Sequence, residues 1–310
     1  MNHGQNILVT GGAGFVGSHL VDRLVADGHK VAILDDLSSG ARENVHKDAV
    51  LTVGDVRDSD LVARMIGEAN ACFHLAAIAS VQQCNELWRN SHEINQSAFV
   101  GLLEAAAKRK TGVIPVVYAS SAAVYGDTDV FPVHEDLPLR PISIYGVDKA
   151  GCELQARAAG RSAGVPTFGL RPFNIYGPRQ NPSSPYSGVI SVFADSIRRG
   201  KGVTIYGDGK QTRDFIAVAD VVEFFVAALA KASPDAPVCN AATGKETSVL
   251  EIAQQISAAL GHESRIAFTP ARTGDIYRSV AATAQAEKLL GCKAGTGVEE
   301  GLKFIAKQGV

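Results

Sequence analysis

The sequence predicts an α/β fold, a doubly wound parallel sheet carrying a smaller α/β lobe over the carboxyl ends of its strands. Three observations point there. Short apolar runs alternate with amphipathic stretches through the first half of the chain. Those runs are apolar on both faces, as in strands covered by helices on both sides. The first strand-to-helix junction holds a cluster of glycines. The chain has 310 residues, of which 46% are apolar. At very roughly 150 residues per domain, that suits one large domain or two.

The strand runs are residues 6–10 (NILVT), 31–35 (VAILD), 50–54 (VLTVG), 71–77 (ACFHLAA), 113–121 (VIPVVYASS) and 167–174 (TFGLRPFN). Between them apolar residues recur at helical spacing. Val16, Leu20 and Leu24, with Val21 and Val25 beside them, form one stripe. Phe99, Leu102, Leu103 and Ala106 form a second, and Leu154, Ala158 and Ala159 a third. Residues 177–188 read GPRQNPSSPYSG, a proline-rich loop. Beyond it come a helix near 189–199, a strand near 203–206, and helices near 248–260 and 297–307. The sheet domain is assigned residues 1–174 and 213–241, and the lobe residues 175–212 and 242–310.

Composition excludes several classes of function. Thirty basic and 32 acidic side chains leave a net charge of −2, with no general attraction for nucleic acid or anionic membrane. No apolar run is long enough to span a bilayer. The N-terminal residues enter a strand without a signal-peptide core. Five scattered cysteines, Cys72, Cys84, Cys152, Cys239 and Cys292, show neither metal-ligand nor disulfide-framework spacing. They read as small core residues in a reducing cytoplasm, and no metal is expected.

Residues 10–17 are TGGAGFVG, between a strand and a helix. The glycines can be written Gly12-x-Gly14-x-x-Gly17 or Gly11-x-x-Gly14-x-x-Gly17. Such a junction needs glycine for a tight turn, for close approach of backbone to a pyrophosphate, and for packing of helix on strand. The N–H groups of the helix start then face the phosphates. Asp35 ends the second strand, 18 residues after Gly17. A carboxylate there binds ribose hydroxyls and repels a 2′-phosphate, so the expected cofactor is NAD. This is a Rossmann-type dinucleotide site. Asp55 follows the third strand and is placed to bond the adenine amine. Leu75, Ala76 and Ala77 end the fourth, where small side chains let backbone run along a cofactor.

Tyr145 and Lys149 stand four residues apart at the start of a helical stretch, so they share a face. A cation beside a phenol favours phenolate. Lowering a tyrosine by about three units takes roughly 4 kcal/mol of differential stabilisation. Tyr145 would then serve as general base near neutral pH. Ser121, in Ala119-Ser120-Ser121-Ala122-Ala123, lies at the preceding strand end and can bond a substrate hydroxyl or relay its proton. Ser120 and Tyr125 read as structural.

The glycine motif, Asp35, Ser121, Tyr145 and Lys149 resemble the extended short-chain dehydrogenase/reductase family, in its NAD-dependent epimerase/dehydratase branch. More narrowly they resemble nucleotide-sugar 4-epimerases acting on UDP-glucose and UDP-N-acetylglucosamine. The resemblance covers essentially the whole chain. It implies a homodimer built through helices near 93–110 and 146–163. It sets Phe15, Val16, Ser39, Gly40, Val56, Asn95 and Ala119 along the cofactor, and Pro172 and Phe173 against the nicotinamide. It sets Asn174, Val189, Tyr206, Arg213, Arg272, Asp275 and Ser279 along the UDP-sugar. Tyr206 would stack on uracil and Arg213 would bind a diphosphate oxygen.

Dehydratases and decarboxylases of this frame carry an acid just after the hydroxyl residue, whereas this chain has Ala122 and Ala123. That implies oxidation and re-reduction at one carbon, with NAD regenerated in each turn. A bulky aromatic after the Arg272-Thr-Gly-Asp275 segment would restrict the pocket to glucose and galactose. Ser279, four residues on, is small and implies access for N-acetyl sugars; Arg278 is the neighbouring alternative. Two other readings stand beside the epimerase: a nucleotide-sugar reductase with exchangeable NAD(P), and a non-catalytic NAD-binding protein.

Overall fold

β1 (Asn6–Thr10) turns Ile7 and Val9 to one side and Leu8 to the other, and all three are buried. Strand side chains alternate faces, so β1 needs a cover on each side. The computed structural model, which describes residues 4–181, 188–271 and 276–308, shows both covers. α1 (Phe15–Ala26), β2 (Lys30–Asp35), β3 (Val50–Val53), α2 (Ser59–Glu68) and β4 (Ala71–His74) follow in turn. Two short helices, α3 (Val81–Glu86) and α4 (Trp88–His92), lead through one π-helical turn, Glu93–Ser97, into α5 (Ala98–Ala107). Then come β5 (Val116–Ala119), α6 (Ile144–Ala163), β6 (Thr167–Pro172), β7 (Asn174–Tyr176), α7 (Val189–Arg198) and β8 (Val203–Tyr206). β9 (Thr212–Arg213), β10 (Phe215–Ala217), α8 (Val218–Leu229), β11 (Val238–Ala241) and β12 (Thr247–Ser248) precede α9 (Val249–Leu260). The chain continues through β13 (Ile266–Thr269), α10 (Ala284–Leu290) and α11 (Val298–Gln308).

Seven strands make one parallel sheet in the order β11-β6-β5-β4-β1-β2-β3. Leu20 and Leu24 of α1 and Phe224 and Phe225 of α8 join Ile7 and Val9 on one face. Val62 and Ile66 of α2 and Phe99 and Leu102 of α5 join Leu8 on the other. The chain winds outward from β1 to β3 and then returns to place β4 on the far side of β1. That reversal opens a crevice at the strands' carboxyl ends, where such sheets bind ligands. A second core, from Phe193 and Ile197 of α7, Ile205 of β8, Ile252 and Ile256 of α9, and Leu302 of α11, builds the lobe. β8 pairs parallel with β13 there, and β9 pairs antiparallel with β12.

The structure corrects three sequence expectations. β3 is a sheet edge rather than a strand covered on both sides, with Val50 68% and Val53 49% exposed. The run at 167–174 is two strands: β6 stops at Pro172, and β7 pairs with β10 in a separate ladder. The place beside β6 belongs to β11, a four-residue strand the apolar pattern does not announce. On α6 Leu154 and Ala158 of the expected stripe face outward, with Leu154 58% exposed, and only Ala159 packs partly against the core. Its inward face is Lys149, Cys152, Glu153, Ala156 and Gly160.

Candidate active site

Glycine geometry fixes the first half of the site. Gly11 has φ +72°, and a Cβ there would lie 2.7 Å from the backbone nitrogen of Ala76. A Cβ on Gly17 would lie 2.1 Å from the Gly11 carbonyl oxygen. Side chains at either position would push β1, α1 and the loop after β4 apart. Gly14 stands at the N-cap of α1, and no side chain caps the first turn. The N–H groups of that turn therefore suit an anion. Phe15 and Val16, in this first turn, are half-buried.

Asp35 is 6% exposed; its Oδ2 accepts from the Ala13 amide and its Oδ1 from the Leu37 amide. It ties the end of β2 to the glycine turn. Gly40 lies against it, since a Cβ there would be 2.9 Å from Asp35 Oδ1. Ser39 is exposed beside them. Asp55 is engaged by Arg57 through both carboxylate oxygens, at 2.6 to 3.0 Å. These bonds hold its carboxyl below the usual range. Val56 packs on the α2–α5 core.

The loop after β4 is held from three directions. The Leu75 amide donates to the Thr10 carbonyl and the Ala76 amide to Thr10 Oγ1. Ala77 is half-buried between them and Ile78. Asn95, fully buried in the π-helical turn, accepts from the Ile78 amide and donates to its carbonyl. Its side chain thus braces the loop. His74 shares a 2.8 Å bond with Thr10 Oγ1 and stacks on Phe99. Burial pushes its pKa down to about 3, with nearby Lys149 adding to the effect.

α6 carries the second half. Ser143 caps it by accepting from the Gly146 amide. A Cβ on Gly146 would stand 2.6 Å from the Ala123 carbonyl oxygen. Glycine there lets the helix start nest against the short 3-10 turn Ala122–Val124 that Ser121 caps. Ser121 Oγ accepts from the Ala123 amide at 3.1 Å. Lys149 is 2% exposed and donates to the Ala119 carbonyl at 2.8 Å. Its Nζ lies 5.8 Å from the centre of the half-buried Tyr145 ring. Tyr145, Lys149 and the end of β5 before Ser121 are thereby brought together.

β6 supplies the floor. Phe173 is buried against Tyr125, with ring centres 6.4 Å apart, and Pro172 is half-buried. Asn174 donates through its amide and Nδ2 to the Asp214 carbonyl. Asp214 is fully buried and was not singled out from sequence. Its carboxylate accepts from Thr243, Gly244 and Ala281, and burial raises its pKa. It knots β10 to the segments that face it. Only its place between Arg213 and Phe215 hinted at this.

In the lobe, Val189 opens α7, Tyr206 ends β8 at 40% exposure, and half-buried Arg213 donates to the Thr212 carbonyl. Ser279 is half-buried, one residue before Val280, whose carbonyl accepts from Val133. Arg278 is exposed, paired with Glu246, and its guanidinium lies 4.6 Å over the Phe131 ring. Arg272, Asp275 and the segment 182–187 lie outside the described residues.

A family model described as the NAD dependent epimerase/dehydratase family matches residues 7–242. A curated UDP-glucose 4-epimerase of Mycolicibacterium smegmatis is 38% identical over 302 residues, covering 95% of each chain. A UDP-glucuronic acid decarboxylase 1 of Danio rerio is 33% identical over 303 residues, 96% of this chain and 71% of that one. The solved UDP-N-acetylglucosamine 4-epimerase of Methanobrevibacter ruminantium M1, in complex with UDP-N-acetylmuramic acid, superposes with a TM-score of 0.93. It is 34% identical, covering 99% of this chain and 98% of that one.

Proposed function

The chain belongs to the NAD-dependent epimerase/dehydratase family, and from that premise we propose that it interconverts UDP-glucose with UDP-galactose and UDP-N-acetylglucosamine with UDP-N-acetylgalactosamine. The observation that carries this reading is the grouping of Tyr145, Lys149 and the Ser121 turn at the carboxyl end of β5, on the same edge of the sheet as the glycine turn that follows β1. The family cofactor is NAD, and the residues fit it. Gly11 and Gly17 leave room for backbone to approach a pyrophosphate, the first turn of α1 offers N–H groups, and Asp35 suits ribose hydroxyls.

Bound NAD supplies the hydride acceptor and donor. Tyr145 takes the proton of the sugar C4 hydroxyl and later returns one. Ser121 bonds the same oxygen and holds it over the phenol. Lys149, tethered to the Ala119 carbonyl, sets its positive charge beside the phenol that gives and takes the proton. A 4-keto sugar that turns within the pocket is reduced from its other face. Asn174, Val189, Tyr206, Arg213 and, from the sequence, Arg272 and Asp275 hold the UDP-sugar.

A decarboxylase relative shares the frame, so family membership alone does not choose the reaction. Ala122 and Ala123 support epimerisation, because neither side chain can give or take a proton. Half-buried Ser279 supports a C2 pocket open to the N-acetyl group, and the neighbouring Arg278 is exposed and paired with Glu246. Exposed Val100, Val147 and Leu154 on α5 and α6 support a homodimer through those helices. Four buried free cysteines suit the cytoplasm, where thiols stay reduced.

The test is a proton NMR time course with UDP-glucose and, separately, UDP-N-acetylglucosamine, with no cofactor added. New anomeric signals from both galacto-products are expected. Turnover only after NADPH is supplied, with loss of the reduced cofactor, would favour the reductase reading. An inert UDP-N-acetylglucosamine would overturn the Ser279 argument alone.

A further inference from the structure

Buried polar side chains from separate segments meet beneath this site. Arg171, near the end of β6, is 3% exposed and donates from Nε and Nη2 to the two oxygens of Glu153, at 2.8 and 2.6 Å. Its Nη1 donates to the Tyr125 hydroxyl at 2.8 Å and to the Glu135 carbonyl at 3.2 Å. The Tyr125 hydroxyl donates onward to Asn240 Oδ1 at 2.6 Å. Ser120 Oγ donates to Glu153 Oε1 at 2.5 Å. Burial pushes the Tyr125 phenol up, so it remains a donor. Burial pulls Arg171 down, but Glu153 and Tyr125 more than offset that.

Each member stands one step from a residue of the site. Glu153 is one helical turn beyond Lys149 on the inward face of α6. Ser120 lies between Ser121 and Ala119, whose carbonyl holds the Lys149 ammonium. Arg171 precedes the Pro172-Phe173-Asn174 segment. Asn240 donates to the carbonyls of Val133 and Ala282, either side of the bridge that follows Ser279. The network therefore joins the catalytic helix, two strand ends and the sugar-side segment.

Stability does not require such a device. Well-packed apolar residues in place of a buried ion pair are often as stable or more so. A planar bidentate pair instead contributes fixed geometry. We propose that Glu153 and Arg171, with Tyr125, are positioning residues that set the gap between Tyr145 on α6 and the strand ends carrying Ser121 and Asn174. The proposal rests on the reading of Tyr145 and Ser121 as the reacting pair.

The test compares the full-length enzyme with three variants, Glu153→Met/Arg171→Met, Arg171→Lys and Tyr125→Phe, beside Tyr145→Phe. The double variant is expected to fold with a thermal midpoint near the parent's. Its kcat should be lower by on the order of 10²-fold, the scale of a misplacement of about 1 Å, with a far smaller change in KM for UDP-glucose. Arg171→Lys keeps the charge but loses the paired geometry, so its kcat should fall as well. Tyr125→Phe should lower kcat less, again with the smaller change in KM. A folded double variant, or Arg171→Lys, with the parent's kcat would overturn the proposal. Should the double variant not fold, Tyr125→Phe with the parent's kcat would overturn it in the same way. If Tyr145→Phe is inactive while the double variant is fully active, only the positioning role falls. If Tyr145→Phe is itself fully active, the catalytic reading falls with it.

Discussion

Lys149 is fixed by one carbonyl and one ring: it donates to Ala119 and lies beside the Tyr145 phenol, with 2% of its surface exposed. Tyr145 itself is only half-buried, so removing its hydroxyl costs little packing. Tyr145→Phe is expected to lower kcat by about 10²- to 10⁴-fold, the usual range for a general acid–base. NAD content and thermal midpoint should stay unchanged; assay, absorbance spectrum and calorimetry check the three. This pair was legible in the sequence because spacing on a helix decides which side chains share a face. Glu153 and Arg171 were not. A pattern of charges on a helix reads as a solvated surface, and nothing local says that the partner cation sits 18 residues away. Asp214 was hidden for the same reason, since the four groups it bonds lie on Thr243, Gly244 and Ala281.

At the scale of the element, the glycine turn was the easiest feature to read, because its chemistry is backbone chemistry confined to eight residues. Gly17→Ala places a methyl 2.1 Å from the Gly11 carbonyl oxygen, with backbone rather than a flexible side chain in the way. The variant is expected to lose bound NAD and to unfold at lower temperature, by the 1–3 kcal/mol typical of roughly that degree of overpacking. Thermal melts and the cofactor content of purified protein check this. Other elements escaped the periodic pattern. α6 buries Lys149 and Glu153 where an amphipathic helix would bury leucine, so most of its apparent stripe, Leu154 and Ala158, pointed to solvent. β11 has only four residues and gains its place by pairing with β6, Val238 opposite Gly169, a contact far along the chain that local propensity does not carry. β3 looked covered because its residues are apolar, yet edge position is decided by topology.

For the whole molecule, the reversal between β1 and β4 explains why the site residues, far apart in sequence, converge at one end of the sheet. The same region sets a pH limit on stability. Unfolded histidine binds a proton below about pH 6.5. Burial keeps folded His74 neutral until about pH 3. Acid therefore stabilises the unfolded chain, and His74's contribution is lost as pH falls through that window, at up to about 1.4 kcal/mol per pH unit. Above it the contribution is fully present. Urea titrations from pH 7 to pH 4 should show this loss, and His74→Asn should show a shallower one. A variant with the parent's slope would assign the acid sensitivity elsewhere.

In the proposed reaction one carbon is oxidised and then reduced again by the same hydride inside a closed cycle. The most direct measurement follows UDP-glucose deuterated at C4 through the reaction, by NMR and mass spectrometry, with unlabelled NAD in the medium. UDP-galactose that keeps deuterium at C4 is expected, with no label in water or in the free cofactor. Deuterium lost to water, or carried away on free cofactor, would contradict it.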